Sequence, residues 1–167
     1  MKSLKFILLT VLVSGLSLTL SAQKFGHVNS NAILADMPEV KMAESNLEAL
    51  TKQLQAKGQQ MVANYQAKVA EIQQNESDYS QNQLAAEAEK LQKTQNEIAQ
   101  FEQDMMQQID EKRASLLQPI LDKVQNAIDQ VAEAGEYTFI FDSGTGALLY
   151  AATGTDITDK VKAQLGL

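Results

Sequence analysis

The sequence predicts an α+β chain that is mostly α: a long antiparallel helical hairpin, a coiled-coil arm, projecting from a small β body that neighbouring subunits complete. Three observations point there. Between Pro38 and Pro119 there is no further proline and Gly58 is the only glycine, in a tract rich in Ala, Gln, Lys, Glu and Leu. The apolar residues of that tract recur at spacings of three, four and seven. The aromatic residues Phe25, Tyr137, Phe139, Phe141 and Tyr150 gather outside it, at the two ends.

Residues 1–22 read as a cleaved secretory signal peptide. Lys2 and Lys5 form a basic start, an apolar run follows from Phe6 to Leu20, and Ser21 and Ala22 offer small residues for cleavage before Gln23. A membrane span needs ~20 apolar residues, and this shorter run is interrupted by Ser14, Gly15, Ser17 and Thr19. No stable membrane anchor is therefore expected, and with no Cys after the run no lipid can be attached there. The mature chain would hold 145 residues (167 − 22), with 12 basic side chains (14 − 2) against 21 acidic, a net charge of −9. That balance excludes nucleic acid, which is bound by neutralising phosphates with Lys and Arg, and a polybasic membrane-surface role. Without cysteine the small body has no disulfides to lean on, so oligomerisation is the expected source of stability.

The arm comes next. Leu47, Leu50, Leu54, Met61, Tyr65, Val69 and Ile72 line its first half; Leu84, Leu91, Ile98 and Met105, seven apart, line its second, joined by Ala88, Phe101, Ile109 and Leu116. Glu87, Gln95 and Gln108 fall on or beside this seam and thin it. Between the halves lies QQNESDYSQNQ at 73–83, polar except for Tyr79. A linker, one continuous rod or the bend of a hairpin would each fit its composition. The midpoint of Pro38 and Pro119 is 78.5, inside this run, which favours a bend with two arms of about forty residues, ~60 Å long. Facing residues should then have numbers summing to roughly 157, with Leu54 near Met105 and Met61 near Ile98.

The ends form the body. Residues 23–38 give its N-terminal part, 39–118 the arm with its tip near 75–82, and 119–167 a return helix, a β-hairpin and a C-terminal helix. KFGHVN reads as a strand, NAILADM as a short helix, and EYTFIFDSGTGALLYAA as two strands around a Gly-rich turn, with Tyr137, Phe139 and Phe141 on one face. Asp156 can cap the last helix, with Asp159 also well placed at its N-terminus. Phe25, Val28, Ile33, Phe139, Phe141, Leu149 and Tyr150 are the candidate residues of the body core or of a subunit interface. Three short strands cannot close a barrel and leave edges that invite pairing between chains.

The segments KFGHVNSNAILADMPEVK at 24–41 and AIDQVAEAGEYTFIFDSGTGALLYAATGTDITDKVKAQL at 127–165 together resemble the OmpH/Skp-like family of periplasmic chaperones. The resemblance implies a jellyfish-like homotrimer with a small intersubunit β-barrel and three helical hairpins around a cavity. It implies a periplasmic location and a function without ATP, holding unfolded outer-membrane β-barrel proteins. Well-known members are basic, whereas this mature chain is acidic, so no basic arm residues gripping clients or lipopolysaccharide carry over.

Catalytic chemistry finds no footing. His27 is the sole histidine and there is no cysteine, which leaves no zinc cluster of the usual ligands and no ordinary nucleophile–histidine arrangement beyond that one residue. No catalytic residue, metal or cofactor is expected. The GTG at 144–146 lacks the strand–loop–helix context of a phosphate site. What remains is binding: Met61, Tyr65, Tyr79, Phe101 and Met106 offer soft apolar contact to a client. The alternative reading is a structural coiled-coil envelope protein that spaces or tethers partners.

Overall fold

The computed structural model describes residues 23–151 and 155–167; the expected signal peptide lies outside them. In chain order the elements are β1 (Phe25–Val28), α1 (Ser30–Asp36), α2 (Pro38–Gln74), a 3-10 turn (Glu76–Asp78), α3 (Gln81–Ala134), β2 (Phe139–Asp142) and α4 (Thr158–Leu165). The antiparallel helical hairpin and the small strand-bearing body are both present.

Pro38 opens α2 at its first turn, where its missing N–H would be unbonded anyway and its fixed φ suits the helix. The 37 residues of α2 rise ~55 Å. At its end the Asn75 side chain donates to the Glu71 carbonyl over 2.9 Å, and one 3-10 turn reverses the chain. Ser80 starts the return with a capping box: its hydroxyl accepts from the Gln83 N–H, and the Gln83 side chain accepts from the Ser80 N–H. Helix α3 then continues for 54 residues through Pro119 into the body. Proline within a helix forfeits one backbone hydrogen bond, at about 3 kcal/mol, and burial of the neighbouring Ile120 and Val124 offsets it.

Strands β1 and β2 pair in parallel, Phe25 opposite Phe139 and His27 opposite Phe141. Parallel strands need a crossover, and here the whole arm serves as that crossover. The other edge of β1 takes up the segment before α4, with the His27 N–H donating to the Thr155 carbonyl and the Ile157 N–H to the His27 carbonyl, both at 2.9 Å. The core lies beneath this small sheet. Val28, Ile33 and Met37 from the N-terminal segment meet Ala43, the α3 residues Ile120, Val124 and Ala127, and Ile157 and Val161 around α4. Met37, Ile33, Ile157 and Val161 are fully buried. Asp156 accepts from the Thr158 N–H over 2.8 Å and so steadies the entry to α4, although Ile157 occupies the N-cap position itself.

Two expectations need correction. The second strand of the C-terminal hairpin does not form over residues 147–151, and Leu149 there is 96% exposed; an isolated strand has no partner for its backbone groups. The remainder of that stretch lies outside the described residues. Nor does Tyr137 share a face with Phe139 and Phe141. Glu136 takes φ 54°, and this left-handed step swings the Tyr137 ring inward against the core. The ring passes so close to Gly135 that a Cβ there would lie 2.4 Å from it, so the position needs glycine. Lys24 closes over the same ring at 4.4 Å and donates to the Gly135 carbonyl over 2.6 Å.

Candidate functional site

Two surfaces stand out: the arm and the outer face of the sheet. Along the arm the facing residues are spaced three and four apart, with Leu50, Leu54, Gly58, Met61 and Tyr65 on α2 and Leu91, Thr94, Ile98, Phe101 and Met105 on α3 at least partly shielded. Among the described residues between 44 and 119, Leu54 alone is buried. The seam is thin because few large apolar side chains occupy it. Ala88, expected on it, is exposed, as are Gln95 and Gln108; the spacing puts Glu87 there instead. The Glu87 side chain is 14% exposed and faces Lys68 of α2 at 3.9 Å and Lys90 at 2.7 Å. The Lys90 hydrogen bond, with both lysine charges, holds the Glu87 carboxyl below its ordinary range.

Facing pairs track the expected register. Lys68 meets Glu87, Lys57 lies over the Phe101 ring, and Gly58 abuts that ring. At the root Lys123 donates to Glu39 over 2.5 Å.

The thin seam leaves grooves along the arm. One, of about 570 Å³, is lined by Gln55, Gly58, Gln59, Val62, Ala63 and Gln66 of α2 and by Ile98, Phe101, Glu102 and Met105 of α3. Gly58 helps shape it: a Cβ at that position would lie 3.3 Å from Phe101 Cε1, so the ring would have to give by a few tenths of an ångström. Nearer the tip, Tyr65, Lys68, Glu87 and Leu91 help line a smaller groove of about 280 Å³.

The candidate contact residues divide accordingly. Met61, Tyr65 and Phe101 lie half-buried in or beside the seam, while Met106 points away from it and is 58% exposed. Tyr79, at the tip, is half-buried, and the pKa of Lys68 is raised chiefly by its hydrogen bond to Glu71.

The body residues divide as well. Val28 and Ile33 lie in the core. Phe25, Phe139 and Phe141 instead stack on the outer sheet face, with ring centroids 5.9–6.5 Å apart, each about half exposed. Leu149 and Tyr150 lie exposed nearby in the chain. His27 is on the same face as Phe25 by strand alternation, and its Nδ1 is shielded without a hydrogen-bond partner. The free edge of β2 carries no strand among the described residues.

Beside the sheet, Asp142 accepts from the Ser30 hydroxyl at 2.6 Å, the Ser30 N–H at 3.2 Å and the Gly144 N–H at 2.8 Å. Burial pushes its pKa up, and these hydrogen bonds together outweigh it, leaving the carboxyl below its ordinary value. This joins the start of α1 to the end of β2 and is structural. Among the described residues no group of three or more His, Asp or Glu is placed to hold a metal ion. No helix of the described residues is long and apolar enough to cross a membrane.

Sequence reasoning missed the glutamine wall of the large groove. Its signal was present in the spacing of Gln55, Gln59 and Gln66, at i, i+4 and i+11 on one helical face, but glutamines on a helix read first as solvated surface.

Comparison with known proteins agrees with this architecture. A family model described as outer membrane protein (OmpH-like) matches residues 24–165. A crystal structure from Caulobacter crescentus, described as an OmpH-like outer membrane chaperone, superposes with a TM-score of 0.75 at 19% identity, covering 87% of this chain and 85% of that one. At that identity the likeness is one of fold. No curated protein matches the chain.

Proposed function

The chain belongs to the OmpH-like outer membrane protein family, and from that premise we propose that it is a periplasmic chaperone, an ATP-independent holdase for unfolded outer-membrane β-barrel proteins. One observation carries the mechanism. A hairpin tens of ångströms long has a single buried residue, Leu54, between its root and its tip among the described residues. An arm built only for rigid spacing gains from a filled seam. One that must bend around clients of different size gains from a thin seam and open apolar grooves.

In this reading three copies assemble through their sheet faces. Phe25, Phe139 and Phe141 form a stacked apolar face on the sheet that ends at the open β2 edge, and Leu149 and Tyr150 are also exposed; association would cover them. Three arms then hang around a shared cavity. Met61, Tyr65, Phe101 and Met106 touch the client through many weak apolar contacts, Met adapting to irregular partners, and Tyr79 adds contact at the tip. No catalytic group or cofactor is invoked. The expected signal peptide and the acidic net charge fit an exported protein that handles polypeptide rather than nucleic acid.

The test is breadth. The mature protein is offered several unrelated β-barrel proteins, each diluted from urea, and one of them already folded in detergent. Comparable affinity for the unfolded chains and none for the folded one supports the holdase. Stable, fixed-stoichiometry capture of a single folded partner would favour the tethering role instead.

A further inference from the structure

We propose that the groove between Gly58 and Phe101 is a specific docking site for one extended, uncharged segment of client chain with alternating apolar side chains. The inference rests on the holdase reading and localises it.

The groove combines two walls of different chemistry. Val62, Phe101 and Met105 supply an apolar floor, and Gly58 contributes depth because it has no side chain to fill the space beside the Phe101 ring. Gln55, Gln59 and Gln66 stand exposed along the α2 wall. Each carboxamide offers both donors and an acceptor, so the row can meet backbone N–H and C=O groups without regard to side-chain identity. A helical occupant satisfies its own backbone and has no use for such a wall; an extended chain presents those groups sideways along its length.

The repeats also agree. Gln55 to Gln59, and Phe101 to Met105, are each four residues of helix, ~6.0 Å apart along the axis. Alternate residues of an extended strand lie about 6.6–6.8 Å apart. Over the ~6 Å from Gln55 to Gln59, three residues of strand stay nearly in step with the wall, and Gln66, about 10.5 Å further on, meets the chain three residues later, on its other side. Every second side chain can face the floor.

Charge selects the occupant further. Of the residues lining the groove, Glu102 alone is charged, on an arm otherwise dense with ion pairs such as Lys52–Glu48 and Arg113–Asp110. Lys57 stands over the Phe101 ring at 4.9 Å, so the groove carries one charge of each sign and favours neither an acidic nor a basic segment. A strand of an unfolded membrane β-barrel, with its apolar–polar alternation, has the required chemistry.

The test uses the full mature protein and three fluorescent nine-residue peptides: one alternating Thr with Val and Leu, one of the same composition with the apolar residues in a block, and one alternating with two Thr replaced by Glu. Anisotropy should show preferential binding of the first. Gly58→Leu, which fills the groove while favouring helix, and Gln59→Glu, which adds a charge to an exposed wall, should each weaken that binding about fivefold or more. Gln53→Glu, an exposed change outside the groove, should alter it less than about twofold. Circular dichroism confirms that each variant is folded. Equal binding of the three peptides, or wild-type binding by both groove variants, overturns the proposal. Aggregation suppression by the wild-type protein is measured alongside. If it is absent, the holdase reading fails; if it is present while groove variants bind normally, only the docking site fails.

Discussion

Lys123 and Glu39 meet at the root of the arm, 84 residues apart in sequence, with Nζ donating to Oε1 over 2.5 Å. The contact joins the first turn of α2 to α3 just past Pro119, where the hairpin enters the body. Lys123→Met should loosen the root and leave the fold intact. Hydrogen exchange should quicken at residues 39–43 and 120–124, and the difference should shrink in high salt, because exposed ion pairs are screened.

Burial ranks the apolar substitutions. Ile33→Ala empties a fully buried position in the body and should cost about 4 kcal/mol. Leu54→Ala acts in a more open setting, although Leu54 is itself buried, and should cost about 2 kcal/mol. Thermal unfolding measures the first. Amide exchange along the arm measures the second, with loss of protection spreading from residue 54 towards the tip.

Asp142 sets a pH response for the body. Its pKa in the folded chain lies below the ordinary value despite partial burial, because hydrogen bonds from Ser30 and Gly144 favour the carboxylate. A depressed carboxyl stabilises the fold above its unfolded pKa of about 3.9, and that contribution disappears as pH falls through the lower folded value. Asp142→Asn should therefore lower the melting temperature at neutral pH and flatten its fall on acidification below about pH 4. Melting curves from pH 2 to pH 7 decide it.

The stacked sheet face predicts assembly behaviour. Replacing Phe139 by Ser removes an aromatic that touches both Phe25 and Phe141 while the core below is untouched. Sedimentation should shift from trimer towards monomer, with the helical circular dichroism signal retained. A wild-type protein that sediments as a monomer at micromolar concentration contradicts the proposed assembly.

The long-range plan of this chain was legible because helices are written locally. Seam spacing showed two antiparallel helices, and Pro38 with Pro119 marked where they root. The sheet was far less legible. Phe25 and Phe139 pair in parallel across more than a hundred residues, and no local pattern reveals which strands meet. Alternation grouped Tyr137 with Phe139, but the left-handed turn at Glu136 reset the face. The core residues Met37, Ile157 and Val161 escaped notice because they sit singly beside Pro38 and in a short helix, where periodicity has no room to show. The groove depended on Gly58, whose significance lies in the ring it faces on the other helix rather than in its own surroundings.

The central claim is that these thin-seamed arms hold unfolded membrane β-barrels without fuel. Its most direct test dilutes a urea-unfolded β-barrel protein into buffer containing the mature protein and no nucleotide, and follows light scattering. The account predicts that scattering is suppressed in proportion to added protein, to completion near one assembled trimer per client, and that the client stays competent to fold when detergent is supplied. Aggregation proceeding at the same rate with and without the protein would contradict it.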